Sequence, residues 1–372
     1  SPLGVRLALL QGGRLVEYYE DEASRSSLVG AVLLGTVERV LPDMKAAFVR
    51  LPLIQNGFLP MKEQDSFHRS GAAAPLMTGK DVIVQVKKDA KGDKGVFLTR
   101  DVALPGQYVL FMPNNRFIGV SKRIAGEDER ERARKLGARI AGERFGLIVR
   151  HGALFATEDD VAREAEAMNA RWEAMAEKAR YLKAPAVLER PSPIAETVLR
   201  DYAARYDCQL FTDGEPPTDA PENVAVARIS PMEAEARWNG LAVERQLQEA
   251  LSRKTPLPGG GDLVIDEREA LQTIDVNSGS NVEKGEEQSL ALAQNLAAVP
   301  EIARQLRLRN LSGVILVDFI DMDSDGQRQK LLSAMEEAVK DDRVKTVVHD
   351  LTELGLMEIT RRRTRDSLRD AL

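Results

Sequence analysis

This sequence predicts an α/β (α+β) chain built from several modules, on three observations. Its 372 residues are more than one ordinary compact domain holds. Residues 35–104 contain five short strand candidates separated by turn signals, whereas residues 251–372 alternate strand and helix. Between them, 157–182 carries Val161, Ala165, Met168, Trp172, Met175, Ala179 and Leu182 at spacings of four and three, the pattern of a long amphipathic helix. A core-packing face accounts for that stripe better than a ligand surface does.

The chain opens with two short strands, VRLALL and RLVEYYE, about a turn at Gln11, Gly12 and Gly13. Strands follow near GTVERVLP, AAFVRL, GFLPM, DVIVQVKK and GVFLTRDV, with DAKGDKG (89–95) as a polar hairpin tip. Five short strands in so little chain suit an OB-fold barrel, a frequent single-strand nucleic-acid module. Residues 106–190 mix strands and helices, and 183–193, with three prolines, reads as a linker. Residues 194–250 read as helix, strand, loop and helix, the loop being the proline-rich 213–221. Further on, VILVDFIDM and VKTVVHDL read as fully buried strands.

No apolar run approaches the ~18 residues of a membrane span, and no secretory signal is visible, so a cytoplasmic protein without a membrane span is expected. The single cysteine, Cys208, excludes an internal disulfide framework and a Cys-x-x-Cys zinc site; zinc is not expected in this chain. The thiol itself reads as a small buried hydrophobe. The net charge of −6 hides a segregation. Residues 31–150 carry 21 Lys or Arg against 13 Asp or Glu, and residues 151–372 carry 28 against 41. A basic stretch on an otherwise acidic chain is how a local phosphate-binding surface looks.

The chemistry is concentrated in TIDVNSG (273–279) and VDFIDM (317–322), each of which sets an acid inside an apolar strand. A buried strand end is a costly place for a lone carboxylate. Two that converge can be neutralised by a divalent cation, which takes oxygen ligands. Asp275 and Asn277 lie two residues apart and share a strand face, with Val276 opposite; Asp318 is flanked by Val317 and Phe319. The pattern reads as a magnesium-dependent phosphodiesterase site with Asp275 and Asp318 as metal ligands. Mg²⁺ needs few protein ligands because it keeps several waters, and Mn²⁺ is able to substitute. Taken singly, each aspartate would read as a turn cap or an arginine partner; the doubled motif favours the metal. Asp321 and Asp323 read as structural, because an odd separation points Asp321 away from Asp318 on a strand.

With ARQLRLRNLSG (303–313) between them, these two segments resemble the catalytic core of the bacterial RNase E/G endoribonucleases, and the 43 residues from Asp275 to Asp318 match that family's spacing. NGFLP (56–60), KGVFLT (94–99), FMPNN (111–115), SKRI (121–124) and GLIVR (146–150) resemble further family segments in the family's order, so the resemblance covers nearly the whole chain. It implies an RNase H-like subdomain formed by 1–34 and 191–250. Into it are inserted an OB-fold (S1-type) RNA-binding domain at 35–104 and a 5′-sensor-like domain at 105–190. A DNase-I-like catalytic subdomain at 251–372 follows.

The same resemblance implies Mg²⁺-dependent hydrolysis of single-stranded RNA to 5′-phosphate and 3′-hydroxyl ends, in RNA processing or mRNA decay. Asp275, Asp318 and Asn277 match the catalytic positions, with the Asn277 amide holding a carboxylate in place. Cleavage through the 2′-hydroxyl would call for paired histidines; His68, His151 and His349 are far apart in sequence. Phe58, Phe67 and Lys94 match positions that contact RNA. Gly106, Leu110, Arg150 and His151 match a pocket for a 5′-monophosphate. Position 151 departs from the family, whose usual residue is threonine; a histidine can donate to phosphate or obstruct the pocket. The run RRRTR (361–365) reads either as a phosphate contact or as a solvated helix end. Neither the family's Cys-Pro-x-Cys zinc link nor its small dimerisation domain occurs before Leu372. A truncated or naturally short member is therefore expected. A homo-oligomer is compatible with the sequence, but a zinc-bridged dimer does not carry over. Two other readings stay open: a non-catalytic RNA-binding scaffold, and a DNA nuclease.

Overall fold

The computed structural model describes residues 5–21, 27–53, 55–61, 75–90, 94–124, 126–218, 220–221, 223–258, 260–268, 270–278, 287–322, 324–352 and 354–372. The chain is mixed α/β and forms two compact units, 1–23 with 229–372, and 24–228.

The first unit begins with the hairpin β1 (Val5–Gln11) and β2 (Arg14–Asp21). Gly12 and Gly13 both have positive φ, +56° and +78°, which a two-residue hairpin turn needs and glycine supplies without strain.

The second unit opens with β3 (Val32–Leu41), β4 (Ala46–Arg50), β5 (Gly57–Pro60), β6 (Asp81–Lys88) and β7 (Phe97–Thr99). Their order is β3-β4-β5-β7-β6, and β6 pairs back onto β3, so the five strands close into a barrel consistent with an OB-fold. Alternation builds it: Val37, Val49, Leu59, Val86 and Leu98 share the interior core, and the intervening residues face out. A four-stranded sheet follows, from β8 (Leu104–Pro105), β9 (Val109–Met112), β10 (Ile118–Val120) and β11 (Gly146–Val149), in the order β10-β11-β9-β8. It packs with α1 (Glu127–Ala141) and α2 (Glu158–Tyr181). The expected long helix is α2. Thr157 caps it with a reciprocal Asp160 bond, and Val161, Ala165 and Met175 of its stripe are fully buried.

The proline-rich segment after α2 is not merely a linker. Ala186–Glu189 forms β12, antiparallel to β3. Its prolines flank the strand instead of interrupting it, so no ladder donor is lost. Next come α3 (Ile194–Tyr202) and the parallel pair β13 (Gln209–Thr212) and β14 (Ala225–Arg228).

The first unit resumes with α4 (Pro231–Gly240), capped by Ser230 with Glu233, and α5 (Val243–Leu251). Val243, Leu247 and Ala250 of α5 share a core with Leu15 and Tyr18 of the hairpin. The main sheet contains β15 (Lys254–Pro256), β16 (Asp262–Glu267), β17 (Leu271–Asn277), β18 (Gly313–Asp318), β19 (Thr346–Leu351) and β20 (Leu356–Arg361), in the order β15-β16-β17-β18-β20-β19. Helix α6 (Glu287–Leu308) links the parallel strands β17 and β18, α7 (Asp325–Ala338) follows, and α8 (Leu368–Ala371) comes last.

Leu263, Ile265, Ile274, Val276, Ile315, Val317, Met357 and Ile359 form one apolar face, packed with Ile302 and Leu306 of α6 and Leu331 and Met335 of α7. This corrects the expectation of fully buried strands. β18 has only one face covered, so Val314 is 47% exposed, and β19 is an edge strand. The uncovered face carries the polar residues.

Candidate metal centre and nucleic-acid interface

Asp275 of β17 stands directly opposite Asp318 of β18 in the parallel register. Adjacent strands run about 4.8 Å apart. Both positions lie at the carboxyl ends of their strands, where α/β sheets commonly bind ligands. Parity puts both side chains on the uncovered face, because their neighbours Ile274, Val276 and Val317 belong to the core. The carboxylates are exposed, not buried at strand ends as the sequence suggested.

Partial burial, then the negative charges of Asp275 and Asp321, push the Asp318 carboxyl above its ordinary range. Asp321 thus lies near the pair. β18 ends at Asp318, so the strand parity that was expected to turn Asp321 away no longer applies. Asp323 lies outside the described residues.

The Asn277 amide donates to Asp275 Oδ2 at 3.0 Å and, more weakly, to Asp262 Oδ1 at 3.5 Å. Asp262 in turn faces Lys254 Nζ at 3.6 Å. Asp262 and Lys254 were not singled out from sequence; Asp262 is the first residue of its strand, a position any polar residue can occupy. Among the described residues, no cluster of three or more His, Cys, Asp or Glu is arranged to hold a metal. The donor set is two hard carboxylates side by side, which fits an ion such as Mg²⁺ that keeps most of its water. His349 is placed on Thr360 Oγ1 at 2.8 Å, on the edge strand.

On the barrel, Phe58 is half-buried on the outer face, between Phe48 of β4 and Phe97 of β7. The ring centroids are 6.0 Å and 5.8 Å apart. It is not a core phenylalanine; its neighbours Gly57 and Leu59 face inward. Phe48 was legible in AAFVRL as an aromatic out of phase with the buried Ala47 and Val49. Lys94 is exposed. Phe67 lies outside the described residues.

Gly106 and Arg150 are brought together. Arg150 Nη1 donates to the Gly106 carbonyl, and Nη2 donates to Asp201 Oδ1 of α3 at 2.7 Å. A Cβ at Gly106 would lie 2.5 Å from the Glu164 carboxylate, so a side chain there would have to displace that carboxylate. That carboxylate accepts from the backbone N–H groups of Gln107, Tyr108 and Val109 at 2.5, 2.8 and 2.9 Å. Burial still pushes the Glu164 carboxyl up, against those three donors and Arg150. Leu110 is half-buried on β9, opposite Ile148 and Pro105. His151 begins a 3₁₀ turn and meets Phe155, ring centroids 5.3 Å apart. Asp201, 51 residues away, was not singled out from sequence as a partner of Arg150.

The arginine run divides by burial. Arg361 is 4% exposed and donates to Asp342, Asn310 Oδ1 and the Leu311 carbonyl. Arg365 donates to the Tyr18 carbonyl at 2.7 Å and lies 4.2 Å from the centre of the Tyr19 ring. Both are structural. Only Arg362 and Arg363 are exposed cations suited to an outside ligand. ARQLRLRNLSG is structural too: Arg309 is completely buried and donates to Gln305 Oε1, the Ser252 carbonyl and Thr255 Oγ1.

The sequence model of the Ribonuclease E/G family matches residues 103–364. Ribonuclease G of Escherichia coli (strain K12) is 36% identical over 392 aligned positions, covering all of this chain and 80% of that protein. Ribonuclease G of Haemophilus influenzae is 34% identical with the same coverage. Ribonuclease E of Nostoc is 36% identical over 90% of this chain and 51% of its own length. Among the described residues, no helix is long and apolar enough to cross a membrane.

Proposed function

Because the chain belongs to the Ribonuclease E/G family, we propose that this endoribonuclease is Mg²⁺-dependent and hydrolyses single-stranded RNA to 5′-phosphate and 3′-hydroxyl ends, in RNA processing or mRNA decay in the cytoplasm. The observation that carries the metal reading is the register of Asp275 against Asp318 on one uncovered face of the sheet. These two carboxylates would hold the ion, and Asn277 keeps Asp275 in position through its amide. Bound there, Mg²⁺ would polarise a phosphoryl oxygen and favour ionisation of a water. The closed barrel and its outward phenylalanines support an S1-type RNA-binding domain at 35–104.

The finer division follows the family resemblance. It comprises an RNase H-like subdomain of 1–34 and 191–250, a 5′-sensor-like domain at 105–190 and a DNase-I-like subdomain at 251–372. The core shared by the hairpin and α5 supports the first of these; α3, β13 and β14 lie in the compact unit 24–228. Gly106, Leu110, Arg150 and His151 would recognise a 5′-phosphate, supported by the contact of Arg150 with Gly106.

The deciding experiment compares native protein, Asp275→Asn and Asp318→Asn on a short A/U-rich single strand, with Mg²⁺ or with chelator. Loss of cleavage in both variants and in chelator, with RNA binding kept, is expected. Undiminished cleavage by either variant would end the metal assignment, and equal cleavage of the matching DNA would end the RNA specificity.

A further inference from the structure

We propose that Phe97, with Lys88 over its ring, is an additional base-stacking position on the barrel, extending the face built on Phe58 by one more unpaired base. This rests on the barrel being the RNA-binding surface proposed above.

The argument is one of register. Phe48 pairs with Phe58, and Phe58 with Phe97, across three adjacent strands. At one end of this row Arg39 of β3 stands opposite Phe48; at the other, Lys88 of β6 stands opposite Phe97. One line thus crosses all five strands of the barrel as cation, three rings, cation. Phe97 has no place in the interior, which its neighbours Val96 and Leu98 occupy at 3% and 0% exposure. Its ring lies 5.8 Å from that of Phe58 at 43°, and the Lys88 ammonium lies 5.6 Å from its centre.

Both ends of the row are set by irregularities in the ladder. The register of β3 on β4 shifts between Val37 and Arg39, passing over Glu38, so that a cation and not an acid faces Phe48. The register of β6 on β7 shifts between Val86 and Lys88, passing over Lys87. Bulges re-aim side chains in this way. The rings stand on the outer face, Phe48 exposed and Phe58 and Phe97 half-buried, and the flanking cations suit phosphates, so the row is complementary to a single strand whose bases are free to stack. A duplex, with its bases already stacked, offers no such faces.

The test is fluorescence anisotropy of a labelled A/U-rich single strand, in chelator, with native protein, Phe58→Ala, Phe97→Ala, Phe97→Trp and Lys88→Ala. Phe97→Ala should weaken binding by about five-fold or more, the lower end of one base–aromatic stack, while Phe97→Trp keeps it. Lys88→Ala should lower the slope of log affinity against log salt by about 0.7, one phosphate contact on a single strand. Affinity equal to native in Phe97→Ala, with loss in Phe58→Ala, would overturn this proposal and leave the RNA-binding barrel standing. Equal weakening in Phe97→Ala and Phe97→Trp, with lowered melting temperatures, would make Phe97 structural and also overturn it. No binding by native protein would overturn both.

Discussion

The Asn277 amide holds Asp275 Oδ2 at 3.0 Å, from two residues further along the same face of β17. A carboxylate beside a second carboxylate would otherwise be free to rotate, so this bond restricts its rotamer. Asn277→Ala should reduce cleavage by roughly 10- to 100-fold, the usual effect of removing an outer partner of a metal ligand. RNA binding in chelator should be unchanged. Single-turnover cleavage over a range of Mg²⁺ concentrations checks this, and the loss should shrink as Mg²⁺ is raised.

Arg150 is already engaged by Asp201. A 5′-phosphate at this site would compete with that carboxylate for the same planar fork. Asp201→Asn should therefore raise the preference for 5′-phosphorylated over 5′-hydroxylated RNA by about five-fold, worth roughly 1 kcal/mol of charge-assisted hydrogen bonding. Arg150→Ala should abolish the preference. The ratio of kcat/KM on the two substrates is the measurement; a ratio insensitive to both variants removes the sensor.

Arg361 and Asp342 form a buried pair, both side chains 3% exposed. Arg361→Ala leaves the Asp342 carboxylate buried without its main partner and should destabilise the first unit by about 3–5 kcal/mol. Arg362→Ala, at an exposed position, should leave stability unchanged. Urea midpoints of the two variants separate a structural arginine from a solvated one.

Glu301 is fully buried on α6, where burial pushes its carboxyl up; the Arg304 fork, Gln305 and Arg14 more than offset this, and the net shift is downward. A folded-state value below the unfolded one of about 4.3 means that the ionised form is stabilised by folding. Its contribution is complete above the unfolded value and is lost as pH falls through the depressed folded one. Denaturant midpoints of the native protein should thus fall steeply in that acid window. Glu301→Gln should be less stable at neutral pH by about 3 kcal/mol and show a flatter acid limb.

Periodicity decided a good deal by itself. It located the hairpin, the five barrel strands and helix α2, because burial of one face writes a period of two or 3.6 into the sequence. It also put Asp275 and Asn277 on one strand face, where they are found in contact. The closure of β6 onto β3, the pairing of β12 with the barrel and the register of Asp275 against Asp318 were decided only by the tertiary structure. So were the fates of Arg150, Arg361 and Arg365, whose partners lie 19 or more residues away. The physical reason is the same in each case. A residue's own neighbours determine which face it takes, but what stands opposite it depends on how distant strands slide to bury their apolar faces, and a bulge of one residue changes the answer.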